Sequence, residues 1–197
     1  STIVGRLRSL GASARAAGIP GTTVLDNAVG EFAASFDAAR GGFGSQPKFP
    51  RPCELLFLLR EYSRRRHTPG TDAAAVNLPR DMVLTTLRAM ATGGMRDHIG
   101  GGFHRYSVDA SWRVPHFEKM LYDQAQLVLA YVEAAQATGE PLFADVAIDT
   151  LDYVRRDMTD PAGGFYSAED ADSIPPEHAT APGAHASEGA FYIWRDE

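Results

Sequence analysis

The sequence predicts an all-α fold: part of an (α/α)6 toroid of helical hairpins, with short β-hairpins in the loops. Three observations predict it. Gly-Gly-Phe ends at Phe43, Phe103 and Phe165, a period of about 60 residues. Two apolar helical stripes lie between each pair of these loops. Pro47-Lys48-Phe49 ahead of one hairpin is echoed by Pro115-His116-Phe117 ahead of the next. Stacked hairpins of fixed period form either an open solenoid or a ring. Six such hairpins need roughly 360 residues, so 197 residues make one partial toroid domain.

The elements follow in order. Ile3, Val4, Leu7 and Leu10 mark a leading helix within residues 1–20, which Gly18-Ile19-Pro20-Gly21 breaks. Thr22 or Thr23 caps a second helix with Val24, Leu25, Val29, Phe32 and Phe36 on one stripe. A third helix runs from about Pro52 to Arg66, and Arg64-Arg65-Arg66-His67 suits its C-terminus. A fourth is expected from a cap at Asn77 with Pro79 in its first turn, ending at Gly93-Gly94. Phe103 to Trp112 alternates weakly and reads as a short β-hairpin. Pro115 is expected to open a fifth helix, stopped by Thr138-Gly139, and Pro141 a sixth. Residues 173–187, rich in Pro, Ala and His, read as a mobile loop before a strand-like run from Glu188 to Trp194.

Composition narrows the function. A net charge of −6 argues against a nucleic-acid partner. No apolar stretch approaches the ~18 residues of a membrane span, and no signal peptide is seen, so a cytoplasmic location is expected. The start at Ser1 reads as a piece cut from a longer chain. Cys53 cannot form an internal disulfide and is expected to be a buried structural thiol. A half ring leaves apolar helix faces open, at a cost of about 25 cal/mol per Å2. The remainder of a parent chain or a second copy is therefore expected to cover that edge.

The loops following the second helix of each pair should gather at one end. They would bring Tyr106, Trp112, Phe165 and other aromatics beside His104, Arg105, Asp170 and Asp172. Flat rings for C–H faces and charged groups for hydroxyls suit a carbohydrate; the same aromatics also suit a hydrophobic plug between loops. Pro115 to Asp123 is the densest ionisable cluster. At a helix N-terminus, His116 would be held neutral as a general base, with Glu118 favoured by the dipole. Helical spacing would set Lys119 beside Asp123 and Glu118 beside Tyr122. Glu118 or Asp97 against Asp170 would supply the two opposed carboxylates of glycoside hydrolysis. The catalytic candidates are thus His116, Glu118 and Asp170. His104, Arg105, Tyr106, Trp112, Tyr122, Phe165 and Asp172 are the substrate-binding candidates. The spacings match no zinc, Walker or dinucleotide motif, so no metal or cofactor is expected.

Long blocks of this chain resemble a known family. They are Gly41-Gly42-Phe43-Gly44 with Pro47-Lys48-Phe49-Pro50; Gly100 to Asp109; Trp112 with Pro115 to Leu127; and Gly164 to Ser173 with Glu188 to Tyr192. Together they look like the thioredoxin-domain-containing family of YyaL and spermatogenesis-associated protein 20. The resemblance implies a six-hairpin glycosidase-like toroid, similar in architecture to N-acylglucosamine 2-epimerases. It marks a site by position and assigns no roles. Family members carry an N-terminal thioredoxin-like domain with paired cysteines. This chain has only Cys53, so no redox function carries over. Carbohydrate chemistry of a hydrolase or epimerase kind is the leading expectation. A non-enzymatic scaffold accompanying a redox domain, or an open peptide-binding solenoid, are its rivals.

Overall fold

The structure is a computed structural model that describes residues 2–6, 21–175 and 183–194. Residues 3–6 are helical, and the rest of the expected leading helix lies outside the described residues. The main helices are α1 (Thr23–Ser35), α2 (Pro52–Arg66), α3 (Ala73–Thr92), α4 (Leu121–Thr138) and α5 (Pro141–Asp157). α2 with α3 and α4 with α5 form two hairpins, and α1 stands where the second helix of a preceding hairpin would. α2 also packs on α4, and α1 on α3, giving two layers of helices. Between the layers lies a core that includes Leu55, Leu58, Met82, Leu87, Met90, Phe103, Leu127, Tyr131 and Phe143.

Local chemistry places the ends. Thr22 occupies the N-cap position of α1, but its side chain makes no cap bond. The expected start of α3 at Asn77 is corrected. Asp72 accepts from the amides of Ala74 and Ala75 and starts the helix at Ala73, one and a half turns earlier. Pro79 is consequently interior and cannot donate to the Ala75 carbonyl four residues back. Arg65, at the end of α2, fills that vacancy with a 2.9 Å bond from its guanidinium to the Ala75 oxygen. Arg64 pairs with Glu61 and Asp26, and Arg65 also reaches Asp26. Cys53 is exposed, not buried: its Sγ donates to Gln126 Oε1 at 3.0 Å, while Pro52, Leu55, Leu58 and Leu59 take the inward face of α2.

Six two-residue strands tie the loops together. β1 (Tyr106–Ser107) pairs with β2 (Pro115–His116), β3 (Lys119–Met120) with β4 (Ala168–Glu169), and β5 (Asp172–Ser173) with β6 (Ser187–Glu188), all antiparallel. This corrects the reading of Pro115 as a helix start. The backbone from 115 to 121 is already committed elsewhere: Glu118 O accepts from Arg105 N at 2.8 Å, and Leu121 N donates to Ser167 O at 3.0 Å. A helix cannot begin until those bonds are made, and α4 opens at Leu121. The stretch 173–187 is likewise closed at both ends by the β5–β6 ladder; residues 176–182 of it are outside the described residues.

The three glycine loops share one hydrogen-bond pattern. Asp37 N donates to Gly42 O at 2.9 Å, Asp97 N to Gly102 O at 3.0 Å, and Asp160 N to Gly164 O at 3.1 Å. A bridge closes each loop, between Phe36 and Phe43, Arg96 and Phe103, and Thr159 and Phe165. Both lysines of the chain sit in the first two of these loops, among 19 Lys and Arg residues. Lys48 Nζ donates to Asp37 Oδ2 at 2.7 Å and to Gly41 O at 2.6 Å. Lys119 Nζ donates to Asp97 Oδ2 at 2.8 Å and to Gly101 O at 2.9 Å. Each lysine also pairs by backbone with the next loop, Lys48 with Ser107 and Lys119 with Glu169, four residues past the loop phenylalanine in both cases. A compact ammonium with three donors suits this narrow seat; a planar guanidinium does not.

Candidate functional site

Every glycine loop and the N-termini of α2 and α4 lie at one end of the hairpins. One side of that end carries chemistry absent from the repeat. Tyr106 on β1 and His116 on β2 are cross-strand partners, and their rings stack 4.9 Å apart. The Phe49 ring also packs against Tyr106, tilted, with centroids 4.7 Å apart. His116 Nδ1 lies 2.6 Å from Glu188 Oε1, and its Nε2 lies 3.8 Å from Glu118 Oε2. Glu118 takes a 2.6 Å ion pair from Arg105. The His116–Glu118 proximity arises from strand and turn geometry, so the helix-dipole argument for both residues falls away.

Beside this group is a cavity of about 270 Å3, lined by Phe49, Pro50, Arg51, Pro52, Arg105, Tyr122, Asp123 and Gln126. Asp123, in the first turn of α4, is 7% exposed, and its Oδ2 has no hydrogen-bond partner among the described residues. Burial pushes its carboxyl up to about 6; Arg105 opposes the shift and Glu118 adds to it. A carboxyl that titrates near neutrality on a cavity wall can hold or release a proton there. The sequence had suggested Lys119 as the neighbour of Asp123 by helical spacing, but Lys119 belongs to Asp97.

The other expected residues scatter. His104 is buried, its Nδ1 donating to Phe117 O at 3.0 Å, and burial pushes it down to about 4. Trp112 is buried over Lys48, and its Nε1 donates to Arg40 O at 3.0 Å. Phe43 and Phe103 are also core side chains, so these aromatics fill space between loops. Asp170 and Asp172 are exposed, and Asp170 Oδ1 accepts from the Asp172 amide. Asp172 meets the His116 group only through its backbone pairing with Glu188. Phe165 is exposed.

A second cavity, of about 490 Å3, is lined by Asp97, Lys119, Tyr153, Arg156, Tyr166, Glu169 and Tyr192, among others. The Tyr153 and Tyr192 hydroxyls donate to the two Glu169 oxygens, each at 2.6 Å. Lys119 lies 4.4 Å from the Tyr153 ring centre. Sequence reasoning did not single out Asp123, Glu188, Phe49 or Gln126 as site residues. The Asp97–Lys119 pair could have been found from its echo, Asp37 with Lys48. Among the described residues, no three His, Cys, Asp or Glu side chains are grouped to hold a metal ion. No helix among them is long and apolar enough to cross a membrane.

The chain is 51% identical to human spermatogenesis-associated protein 20, over 159 residues that make up 81% of this chain. It is a homologue of spermatogenesis-associated protein 20. The rat protein is 50% identical over the same share, and an uncharacterised Caenorhabditis elegans protein, B0495.5, is 41% identical over 83% of this chain. The chain spans only 19% of the length of the human and rat relatives. No family model matches it. Among solved structures it is similar in fold to a sugar epimerase from a ruminal bacterium, with TM-score 0.58 and 16% identity, covering 75% of this chain and 40% of that one. A D-mannose isomerase and the cellobiose 2-epimerase of Bacillus thermoamylovorans B4167 both match with TM-score 0.54, at 14% and 16% identity, over 76% of this chain and 42% of theirs. At such identities the likeness establishes the fold, a portion of an (α/α)6 toroid.

Proposed function

We propose that this homologue of spermatogenesis-associated protein 20 carries part of a carbohydrate pocket in which a carboxyl group moves a proton. The observation that carries the reading is Asp123: buried, with one oxygen unpartnered, on the wall of a cavity it shares with Arg105. The Phe49 ring offers an apolar face for sugar C–H groups. Arg105, Tyr122 and Gln126 offer hydrogen-bonding groups for hydroxyls. Asp123 then serves as the acid–base group, with the Arg105–Glu118 pair setting the charge beside it and His116 steadied by Glu188. The sugar epimerases and isomerases of similar fold support a sugar as the substrate class.

The test is calorimetry of the full-length protein with mono- and disaccharides, beside the same titration of an Arg105→Ala variant. Sugar binding in the parent protein, weakened tenfold or more in the variant, is expected from loss of a charged hydrogen bond of about 1.5–3 kcal/mol. Absence of binding to every sugar tried overturns the reading.

A further inference from the structure

Among the described residues, the first two glycine loops are covered and the third is bare. A Cβ on Gly41 would lie 2.9 Å from the Thr86 backbone, and one on Gly42 2.6 Å from the Trp112 ring. A Cβ on Gly102 would lie 2.5 Å from the Tyr153 ring. Thr86 and Tyr153 belong to the second helices of the two hairpins, so each loop is packed by the hairpin that follows it. At Gly163 and Gly164 no atom of the described residues lies within 4 Å. The loop phenylalanines agree: Phe43 is 6% exposed, Phe103 0% and Phe165 63%.

The charge pattern also stops at the third loop. Asp37 and Asp97 each hold a lysine, whereas among the described residues Asp160 Oδ2 accepts only from the Tyr166 hydroxyl, at 2.7 Å. Both lysines of the 197 residues are already buried in the first two loops. A second copy would have its own two lysines buried in the same way, so it has none to offer. The relatives have several times the length of this chain, and the matched portion is 40% of the similar sugar epimerase structure.

We propose that the third loop is the docking seat of a further helical hairpin on the same polypeptide, whose entry strand delivers a lysine ammonium to Asp160 and the Gly163 carbonyl. Its second helix covers Gly163 and Gly164, and its first covers Phe165, as α4 does for Phe103 through Tyr131, 5.5 Å away ring to ring. The edge is thus keyed by charge as well as by apolar area. A hairpin without the lysine would leave Asp160 buried and unpaired.

Phe165→p-benzoylphenylalanine in the full-length protein, followed by irradiation, digestion and mass spectrometry, tests the seat. The expected product is an intrachain cross-link to a helix outside these 197 residues, shortly after a lysine. A cross-link between two copies or to another protein, or none at all, overturns the proposal. The lysine is tested by amine acylation. Asp160→Asn should make one lysine outside these 197 residues at least tenfold more reactive, and unchanged reactivity of every lysine overturns the ammonium contact.

Discussion

The lysine-closed loops and the Asp123 corner lie at the same end of the same hairpins, yet they treat charge in opposite ways. Asp37 and Asp97 are matched: an ammonium, a backbone carbonyl and loop amides complete each seat. Burial pushes Asp97 upward, but Lys119 and the amides of Gly100 and Ile99 outweigh it and hold the carboxyl below its usual value. At Asp37 the Lys48 bond leads, with the same outcome. Asp123 is left unmatched, and its carboxyl rises. The matched arrangement recurs with the repeat, as a device that joins one hairpin to the next must. The unmatched one occurs once among the described residues. In a repeat protein, chemistry copied at the period holds the array together, and chemistry found once is where a ligand site is to be sought.

The largest effect that could break this contrast is removal of a loop lysine. Lys119→Met leaves Asp97 buried without its cation, and about 3–5 kcal/mol of stability should be lost. Chemical denaturation reads this directly, and a loss below about 1 kcal/mol would remove the structural role assigned to the seat. Lys48→Met should cost less, because Asp37 has more solvent around it. The linkage has a definite sign. Asp37 and Asp97 have folded values below the unfolded one, so their contribution is present at neutral pH and is lost as pH falls below about 4.

A middle-sized effect is expected at Gly102. Its φ is +73°, and a Cβ there would meet the Tyr153 ring. Gly102→Ala should cost about 1–3 kcal/mol from backbone strain and the displaced ring. Gly44→Ala, at φ +77°, has the strain without the collision, since no atom of the described residues lies within 4 Å of a Cβ there. The difference between the two thermal shifts isolates the packing part. Equal shifts would mean that the hairpin following loop two contributes little to holding it.

How much of this was legible in the sequence follows from what repeats. The Gly-Gly-Phe period and the apolar stripes are local and periodic, so the hairpins and their common end could be read. Pro115 could not be placed, because a proline suits the first turn of a helix as well as an edge strand. Its fate depended on backbone bonds from Arg105 and Ser167, partners on other loops. The start of α3 is legible in principle, since Asp72 is a good cap, but Pro79 suits a first helical turn and so points to a later start. Arg65 repairing the Ala75 carbonyl was beyond sequence, since it joins two helices. At the site, Arg105, Tyr106, His116, Glu118 and Tyr122 do converge. Trp112 and His104 are enclosed by the core, because an aromatic ring at a loop can as readily fill the space between loops as line a pocket. Asp123 was overlooked because burial is a tertiary property that one helical turn of sequence does not reveal.

The smallest expected stability effect is also the one that most sharply separates the two regions. A carboxyl raised to about 6 in the folded chain binds its proton more tightly there than in the unfolded chain. Its contribution is therefore most favourable below the unfolded value near 4 and is lost as pH rises through about 6. At neutral pH the native protein holds a buried, unpaired charge. Asp123→Asn removes that charge while keeping the shape, so the variant should be more stable than the parent at pH 7.5, by about 1–2 kcal/mol, with the gain vanishing toward pH 4. His104 opposes this in the same range. Its depressed value makes the fold less stable as pH falls from about 6.5 toward 4, in parent and variant alike, and it cancels in the difference. Melting curves of both proteins across pH 4 to 8 supply that difference. A constant offset between them, or a variant less stable at pH 7.5, would mean that Asp123 is matched by a partner after all. It would then belong with Asp37 and Asp97 as part of the frame.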